Sequence, residues 1–340
     1  MDLAGRTALV TGAAGFIGGW LVERLVTDTG VCVRGLVQPS QQADWLKGLG
    51  VQIIEGDITD ADAMREVTEG CDVVFHLAAW LDEPPSAKVA WTTNVTGTET
   101  MLGAAVNVMR FVYVSSIMVY GAVVAGMVDE DYPYGTWHPK LEPYGATKIE
   151  AERRVFRAFR QRGLPITVIR PSNVYGPRAG SWVARALRRM RDNRPTLIGG
   201  GRGFVHPIYV ENLVDGIVLA AQHEQGIGEA FNLSDGSAMT WHDFYRRYGQ
   251  LIDCRPRSIP TAIAYVLASV REIRGRLTGL VPSLTRTLVR QVIGQPVYSI
   301  EKARQLLGYK PRVDFEEAMH RTEIWYRNAR ARRCGATSDQ

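Results

Sequence analysis

The feature that most constrains this chain is a short glycine-bearing turn close to its N-terminus. A strand-like apolar run at residues 7–10 passes directly into Thr11-Gly12-Ala13-Ala14-Gly15-Phe16-Ile17-Gly18, and a helical pattern follows over residues 20–26. Glycines at 12, 15 and 18 suit a tight strand-to-helix turn whose backbone must come close to a pyrophosphate. The phosphates then rest on the helix N-terminus, where unpaired N–H groups and the helix dipole favour an anion. A glycine spacing alone is also compatible with a plain turn. The strand before it, the helix after it and its place near residue 10 favour the dinucleotide reading, with Gly12, Gly15, Phe16, Ile17 and Gly18 as cofactor contacts.

The first half of the chain continues in the same pattern. Apolar runs of strand length recur at residues 31–37, 51–54, 73–77, 111–114 and 166–169, with helix-length stretches between them. Such alternation implies βαβ units, and continuously apolar strands imply a sheet covered on both faces. The expected fold class is α/β, a doubly wound parallel Rossmann sheet with a smaller C-terminal substrate-binding part. After Arg170-Pro171 the regularity breaks into Gly- and Pro-rich pieces, followed by a long helical stretch at residues 261–291. The expected division is a dinucleotide-binding domain over residues 1–171, with sheet and helix returns near 204–233. Residues 172–203 and 234–330 would form the substrate-binding part. A chain of 340 residues, 46% of them hydrophobic, is long enough for both.

The end of the second strand bears on cofactor choice. Leu36-Val37-Gln38-Pro39-Ser40 carries neither the carboxylate that accepts hydrogen bonds from a ribose 2′-OH nor an arginine for a 2′-phosphate. Either NAD or NADP is compatible. With no repelling carboxylate, and with Arg34, Gln38 and Ser40 nearby, the reading inclines to NADP. Further on, Asp57 in Glu55-Gly56-Asp57-Ile58 either accepts a hydrogen bond from the adenine amine or caps the next helix.

Tyr144-Gly145-Ala146-Thr147-Lys148 opens a helix that continues through residues 150–159. A spacing of four puts phenol and ammonium on one helix face, where the positive charge favours phenolate and draws the tyrosine pKa toward a range useful for proton transfer. An ordinary amphipathic helix shows the same spacing, so the pair gains weight from its company. That company is Phe111-Val112-Tyr113-Val114-Ser115-Ser116, an apolar strand ending in two hydroxyls at the carboxyl end, where ligands of such sheets bind. Either one hydroxyl donates to a substrate oxygen, or both merely cap the strand.

Together these residues resemble the extended short-chain dehydrogenase/reductase family, which includes sugar-nucleotide epimerases and dehydratases, dihydroflavonol reductases and 3β-hydroxysteroid dehydrogenases. Its ordered landmarks are Thr11 to Gly18, Gly56-Asp57, His76-Leu77-Ala78-Ala79, Asn94, Ser115-Ser116, Val119-Tyr120-Gly121, Tyr144 with Lys148, Arg170-Pro171 and Tyr175-Gly176-Pro177. The resemblance implies that Tyr144 is the acid/base, that Lys148 lowers its pKa and donates to the nicotinamide ribose, and that Ser116 holds the substrate oxygen. It implies that Asn94 supports the site from behind and that Ile58, Leu77, Ala78 and Ala79 pass beside the cofactor. Pro171, Asn173 and Val174 would close the nicotinamide pocket, and His76 would be structural.

Members of this family run several reactions from one redox step. Dehydratases place an acid pair after the active-site hydroxyl; here Ile117-Met118 stands there, which argues against dehydration. Epimerases often carry an Arg-Asp pair that grips a diphosphate. Val205-His206 takes its place here, although Arg202 or Arg178 could substitute and Asn173 keeps epimerisation open. Tyr209-Val210-Glu211-Asn212 resembles the steroid dehydrogenase branch, and the apolar residues 259–270 either line a hydrophobic pocket or pack as a plain helix. Three functions follow in order. The first is NAD(P)-dependent interconversion of a secondary alcohol and a ketone through a Ser-Tyr-Lys site. The second is a sugar-nucleotide 4-epimerase, and the third a non-catalytic nicotinamide-sensing protein.

Cys32, Cys71, Cys254 and Cys334 show no Cys-x-x-Cys spacing, so reduced thiols are expected and neither a zinc site nor a disulfide framework. No secretory signal is recognisable and no apolar run is long enough to span a bilayer, so the expected location is cytoplasmic with no membrane partner. Arginines cluster at Arg185, Arg188, Arg189, Arg191 and Arg194 within a net charge of +5. They form either a solvated helix face or a basic rim for an acidic ligand. No aromatic-plus-basic platform accompanies them, so no nucleic acid is expected. The partners expected are a small-molecule substrate and, by analogy with the family, a second copy in a homodimer.

Overall fold

The computed structural model describes residues 1–39, 41, 43–81, 86–179 and 182–335. At its centre is a parallel sheet of seven strands: β1 (Thr7–Thr11), β2 (Cys32–Val37), β3 (Gln52–Glu55), β4 (Val73–His76), β5 (Arg110–Val114), β6 (Ile166–Pro171) and β7 (Ala230–Leu233). Their spatial order is β7-β6-β5-β4-β1-β2-β3. This is the doubly wound arrangement expected from the alternating sequence.

The strands read as unbroken apolar runs because both faces are covered. Val10, Phe75, Val112 and Ile169 pack on one side with Leu21, Leu25, Leu213 and Ile217. Leu9, Val74, Phe111 and Tyr113 pack on the other with Met64, Met101, Ala151 and Val155. Neighbouring residues of one strand thus enter opposite cores, as the period of two requires. Each fully buried Leu, Val or Phe contributes roughly 1.5–3 kcal/mol.

Helix α1 (Phe16–Thr29) follows the glycine turn directly and ends at Gly30 in the left-handed conformation, φ +63°. Helix α2 (Pro143–Arg162) begins with Pro143, whose missing N–H costs nothing in a first turn. From β1 the sheet grows outward in both directions, to β2 and to β4. The reversal of winding opens a crevice at the carboxyl ends of these strands, where ligands of open α/β sheets bind.

Outside the sheet lie short strand pairs, among them Asn173–Tyr175 with Pro207–Tyr209 and Ala125–Val128 with Gln295–Tyr298. Among the helices of this half are α3 (Trp182–Arg191), α4 (Val210–Gln222), α5 (Thr261–Thr278) and α6 (Arg286–Ile293). The single helical stretch expected over 261–291 is therefore two helices. Gly279, at φ +71°, caps α5 and Pro282 follows at once. Among the described residues no helix is long and apolar enough to cross a membrane.

Candidate active site

A cleft of about 740 Å³ opens at the crevice. Gly12, Gly15, Phe16, Ile17 and Gly18 form its floor; Gln38, Ile58, Leu77, Ala78 and Ala79 come from the loops after β2, β3 and β4. Two of the glycines are dictated by space. Gly12 has φ +70°, and a Cβ there would lie 3.1 Å from the Ala78 amide nitrogen; a Cβ on Gly18 would lie 2.1 Å from the Gly12 carbonyl oxygen. Gly15 is the N-cap of α1 and offers no side chain, and no acidic residue stands in the first turn. The helix N-terminus is thus left uncapped toward the cleft, which fits a pyrophosphate.

Thr11 pins the loop after β4 against this turn. Its hydroxyl oxygen accepts from Leu77 N and Ala78 N, both at 3.1 Å, and lies 2.8 Å from His76 Nδ1. His76 Nε2 is 3.0 Å from Thr98 Oγ1. Burial, helped by the nearby Lys148 charge, pushes the His76 pKa down to about 3, so the ring is a neutral structural bridge.

Other cofactor candidates sit differently. Arg34 does not reach the cleft: its guanidinium donates to the carbonyls of Val67 at 3.2 Å and Glu69 at 2.6 Å, so it is unavailable to a 2′-phosphate. Ser40 lies outside the described residues. Asp57 is exposed, and its carboxylate accepts from Thr59 N and Thr59 Oγ1 at 2.9 and 2.8 Å; the cap of the next helix is Asp60. Asn94 accepts from Trp80 N at 2.6 Å and donates to Trp80 O and Thr147 Oγ1, tying the loop after β4 to α2. Pro171 ends β6 and Asn173 and Val174 follow it, outside the cleft wall.

Ser116, Tyr144 and Lys148 come together at the carboxyl end of β5. Ser116 starts a short 3-10 turn, with its Oγ accepting from Met118 N at 3.2 Å, and it hydrogen-bonds Tyr144. Tyr144 occupies the first turn of α2. Its neighbour must be glycine, because a Cβ on Gly145 would lie 2.4 Å from Trp137 Nε1, which donates to the Met118 carbonyl at 2.6 Å. Lys148 Nζ donates to the Val114 carbonyl at 2.8 Å and stands 6.0 Å from the centroid of the Tyr144 ring.

The electrostatics depart from the expectation that the lysine draws the phenol pKa down. Burial pushes Tyr144 up to about 12 against the Ser116 hydrogen bond, and pushes Lys148 down to about 7 against the Glu152 charge. The spacing of four holds, but the site is dry enough that desolvation of each group outweighs the Ser116 hydrogen bond at Tyr144 and the Glu152 charge at Lys148.

Beside Tyr144 lies a second cavity of about 840 Å³. Trp80, Met118, Trp137, Leu141 and Leu288 supply apolar walls. Its rim is exposed and mixed: Leu81 and Leu280, with Arg185, Arg271 and Arg274.

Residues 8–234 match the NAD dependent epimerase/dehydratase family. The chain belongs to that family. As a member of the wider extended short-chain dehydrogenase/reductase group it is an enzyme. It is 31% identical over 322 residues to a 4-hydroxy-2-methyl-3-oxo-4-farnesyl-3,4-dihydroquinoline-1-oxide ketoreductase of Stigmatella aurantiaca, covering 91% of this chain and 93% of that one. It is 30% identical over 330 residues to a 3 beta-hydroxysteroid dehydrogenase/Delta 5-->4-isomerase of Mycobacterium tuberculosis, covering 92% and 88%. Among solved structures it is similar to a UDP-glucose 4-epimerase with UDP-glucose from Thermotoga maritima, at TM-score 0.77 and 25% identity, covering 95% and 99%.

Within this family member, Arg178, one of the two arginines suggested as a substitute for an epimerase diphosphate grip, is engaged elsewhere, and so is His206, which stands where that grip would be. Arg178 pairs with both Glu23 oxygens at 2.6 and 2.7 Å and stacks 4.2 Å over Trp20. His206 Nε2 is 2.8 Å from the Pro296 carbonyl in a buried position. Arg178, Arg202 and Asn173 are absent from the wall of the larger cavity. The apolar residues 259–270 do not line it either; α5 contributes from Arg271 onward.

Sequence reasoning missed the polar network behind the site. Buried Glu152 bonds Ser115 Oγ at 2.5 Å, Tyr134 OH at 2.9 Å and Arg170 Nε at 3.0 Å. Arg170 donates on to Tyr120 OH at 2.7 Å, and Tyr120 donates to Asn232 Oδ1 at 2.6 Å. The available signal was an acid one turn after Lys148 on an otherwise buried helix face.

Proposed function

We propose that this enzyme interconverts a bulky lipophilic ketone and its secondary alcohol, with Ser116, Tyr144 and Lys148 as its catalytic residues. The observation that carries the reading is the apolar cavity whose wall includes Tyr144. Two relatives are named for work on large lipophilic molecules, a farnesyl dihydroquinoline oxide and a 3β-hydroxysteroid. In the epimerase reading a sugar diphosphate would need polar grips; Arg185, Arg271 and Arg274 stand at the exposed rim, while the wall beside Tyr144 is built of Trp80, Met118, Trp137, Leu141 and Leu288.

Gly12, Gly15, Phe16, Ile17, Gly18, Ile58, Leu77, Ala78 and Ala79 would hold the dinucleotide, which supplies or accepts the hydride. Ser116 orients the substrate oxygen. In ketone reduction Tyr144 passes its proton to that oxygen as the carbon is reduced, and the Lys148 ammonium balances the phenolate left behind. In alcohol oxidation the proton returns along the same path. Trp80 and Trp137 on the wall beside Tyr144 would limit the water that reaches this exchange. Gln38, with no carboxylate beside it on the cleft wall, supports NADP over NAD. The residues of the sheet and its flanking helices serve the cofactor, and residues 172–203 and 234–330 shape the substrate side.

The test is to supply reduced cofactor with a panel of lipophilic ketones and, separately, with UDP-sugars. The reading expects cofactor oxidation matched one to one by alcohol formed. Conversion of a UDP-sugar with no net change in cofactor absorbance would replace it with epimerisation.

A further inference from the structure

Helix α5 is amphipathic in the inverse sense. The residues it turns inward are small: Ala264, Ala268 and Gly275, with Glu272. Its large apolar residues Ile263, Val266, Leu267, Val270, Ile273 and Leu277 recur every three or four positions and face out. Val266 is 63% exposed, Val270 60% and Leu277 83%. A surface helix of a water-bounded protein shows the opposite order, and a continuous exposed apolar stripe marks a contact surface.

We propose that this face of α5 docks on the surface of an anionic lipid bilayer. The charges around the stripe choose the occupant. Arg271, Arg274 and Arg276 border it on α5, and Arg185 and Arg189 of α3 lie within electrostatic reach of this group. The one acid on α5, Glu272, is turned inward and paired with Arg286 at 2.9 Å. An apolar stripe with a cationic border complements anionic headgroups over acyl chains. A second copy would set these arginines against their own image. The helix is too short in apolar length to cross, so it lies along the interface with its axis in the membrane plane.

The stripe is continuous with the mouth of the larger cavity. Arg271, Arg274 and Leu280 belong both to this end of the structure and to the cavity rim. Docking would set the mouth at the bilayer surface, where a lipophilic ketone is concentrated. That consequence rests on the proposed function; the docking itself does not.

The experiment mixes the full chain with phosphatidylcholine vesicles, with or without phosphatidylglycerol, and measures cosedimentation. A triple variant, Val266→Ser, Val270→Ser and Leu277→Ser, removes the stripe at exposed positions outside the cavity wall. The native chain should sediment with the anionic vesicles. Binding should fall at least about tenfold with phosphatidylcholine alone and for the triple variant, and weaken as salt rises. The triple variant should keep its melting temperature and its turnover of a small water-soluble ketone, which reports the redox reading separately. No sedimentation with anionic vesicles, or equal sedimentation of the triple variant, overturns the proposal. A native dimer in light scattering that the triple variant dissolves, without vesicle binding, overturns it in favour of a second copy.

Discussion

Lys148 is held to the Val114 carbonyl at 2.8 Å in a position where burial brings its pKa down to about 7. The ammonium is therefore kept in the site at a cost to the fold. Below pH 7 the folded and unfolded chains both carry the proton, and the full cost stands. Above it the folded chain releases the proton first, and the cost fades until the ordinary lysine value of 10.5 is reached. Lys148→Met should accordingly melt above the native protein at pH 6, with the gain shrinking as pH rises toward 10. Its turnover should be lost at every pH. Thermal melts across this range check the sign.

Glu152 is the counterweight. Replacing it with Gln removes the carboxylate that faces Arg170, Ser115 and Tyr134, and leaves the buried Arg170 guanidinium with only neutral partners. Stranding one member of a buried pair costs about 3–5 kcal/mol. Denaturant unfolding of Glu152→Gln should show a loss of that size. The Glu152 charge also raises the Lys148 pKa, so the pH at which ketone reduction declines should move downward in the variant.

The sheet, the glycine turn and the serine–tyrosine–lysine set were legible in the sequence because each depends on local pattern. Strands buried on both faces must be apolar throughout, and Gly12 and Gly18 are the residues whose Cβ would strike Ala78 and the turn itself. Properties that depend on several elements at once were not legible. Arg34 stands four residues before Gln38, yet its guanidinium is spent on carbonyls near residues 67–69. The desolvation of Tyr144 and Lys148 arises where β5, α2 and the 3-10 turn meet, which no spacing along one helix records. The periodicity of α5 is the same whether its large residues point in or out; only the packing of Ala264 and Ala268 shows the direction.

Gly18→Ala should damage cofactor binding before it damages the fold. Its Cβ would enter the Gly12 carbonyl at 2.1 Å, so the turn must open and the N-terminus of α1 would shift from the pyrophosphate proposed to rest there. A fall of about tenfold or more in dinucleotide affinity is expected by fluorescence titration, roughly 1.4 kcal/mol, with the secondary structure unchanged by circular dichroism.

Gln38→Asp places a carboxylate on the cleft wall after β2, where the proposed NADP would carry its 2′-phosphate. It would repel a 2′-phosphate and accept from a 2′-OH. The ratio of kcat/KM for NADP over NAD should fall by about two orders of magnitude, equivalent to ~2.7 kcal/mol. An unchanged ratio would place the selectivity elsewhere in the cleft.

Ser116 and Tyr144 act as a hydrogen-bonded pair, so their variants should not add. Tyr144→Phe removes the proton donor and should reduce kcat to background. Ser116→Ala removes one donor to the substrate oxygen and should cost about 10²–10³ in kcat, and the double variant should be no worse than Tyr144→Phe alone. In the native enzyme Tyr144, pushed up to about 12, stays protonated through the neutral range, while Lys148 loses its proton through about 7. Ketone reduction, which needs both protons in place, should therefore fall as pH rises through about 7, and steady-state rates at saturating substrate across pH 5.5 to 9 measure it. A flat profile over that range would mean that the lysine charge does not support the phenolate.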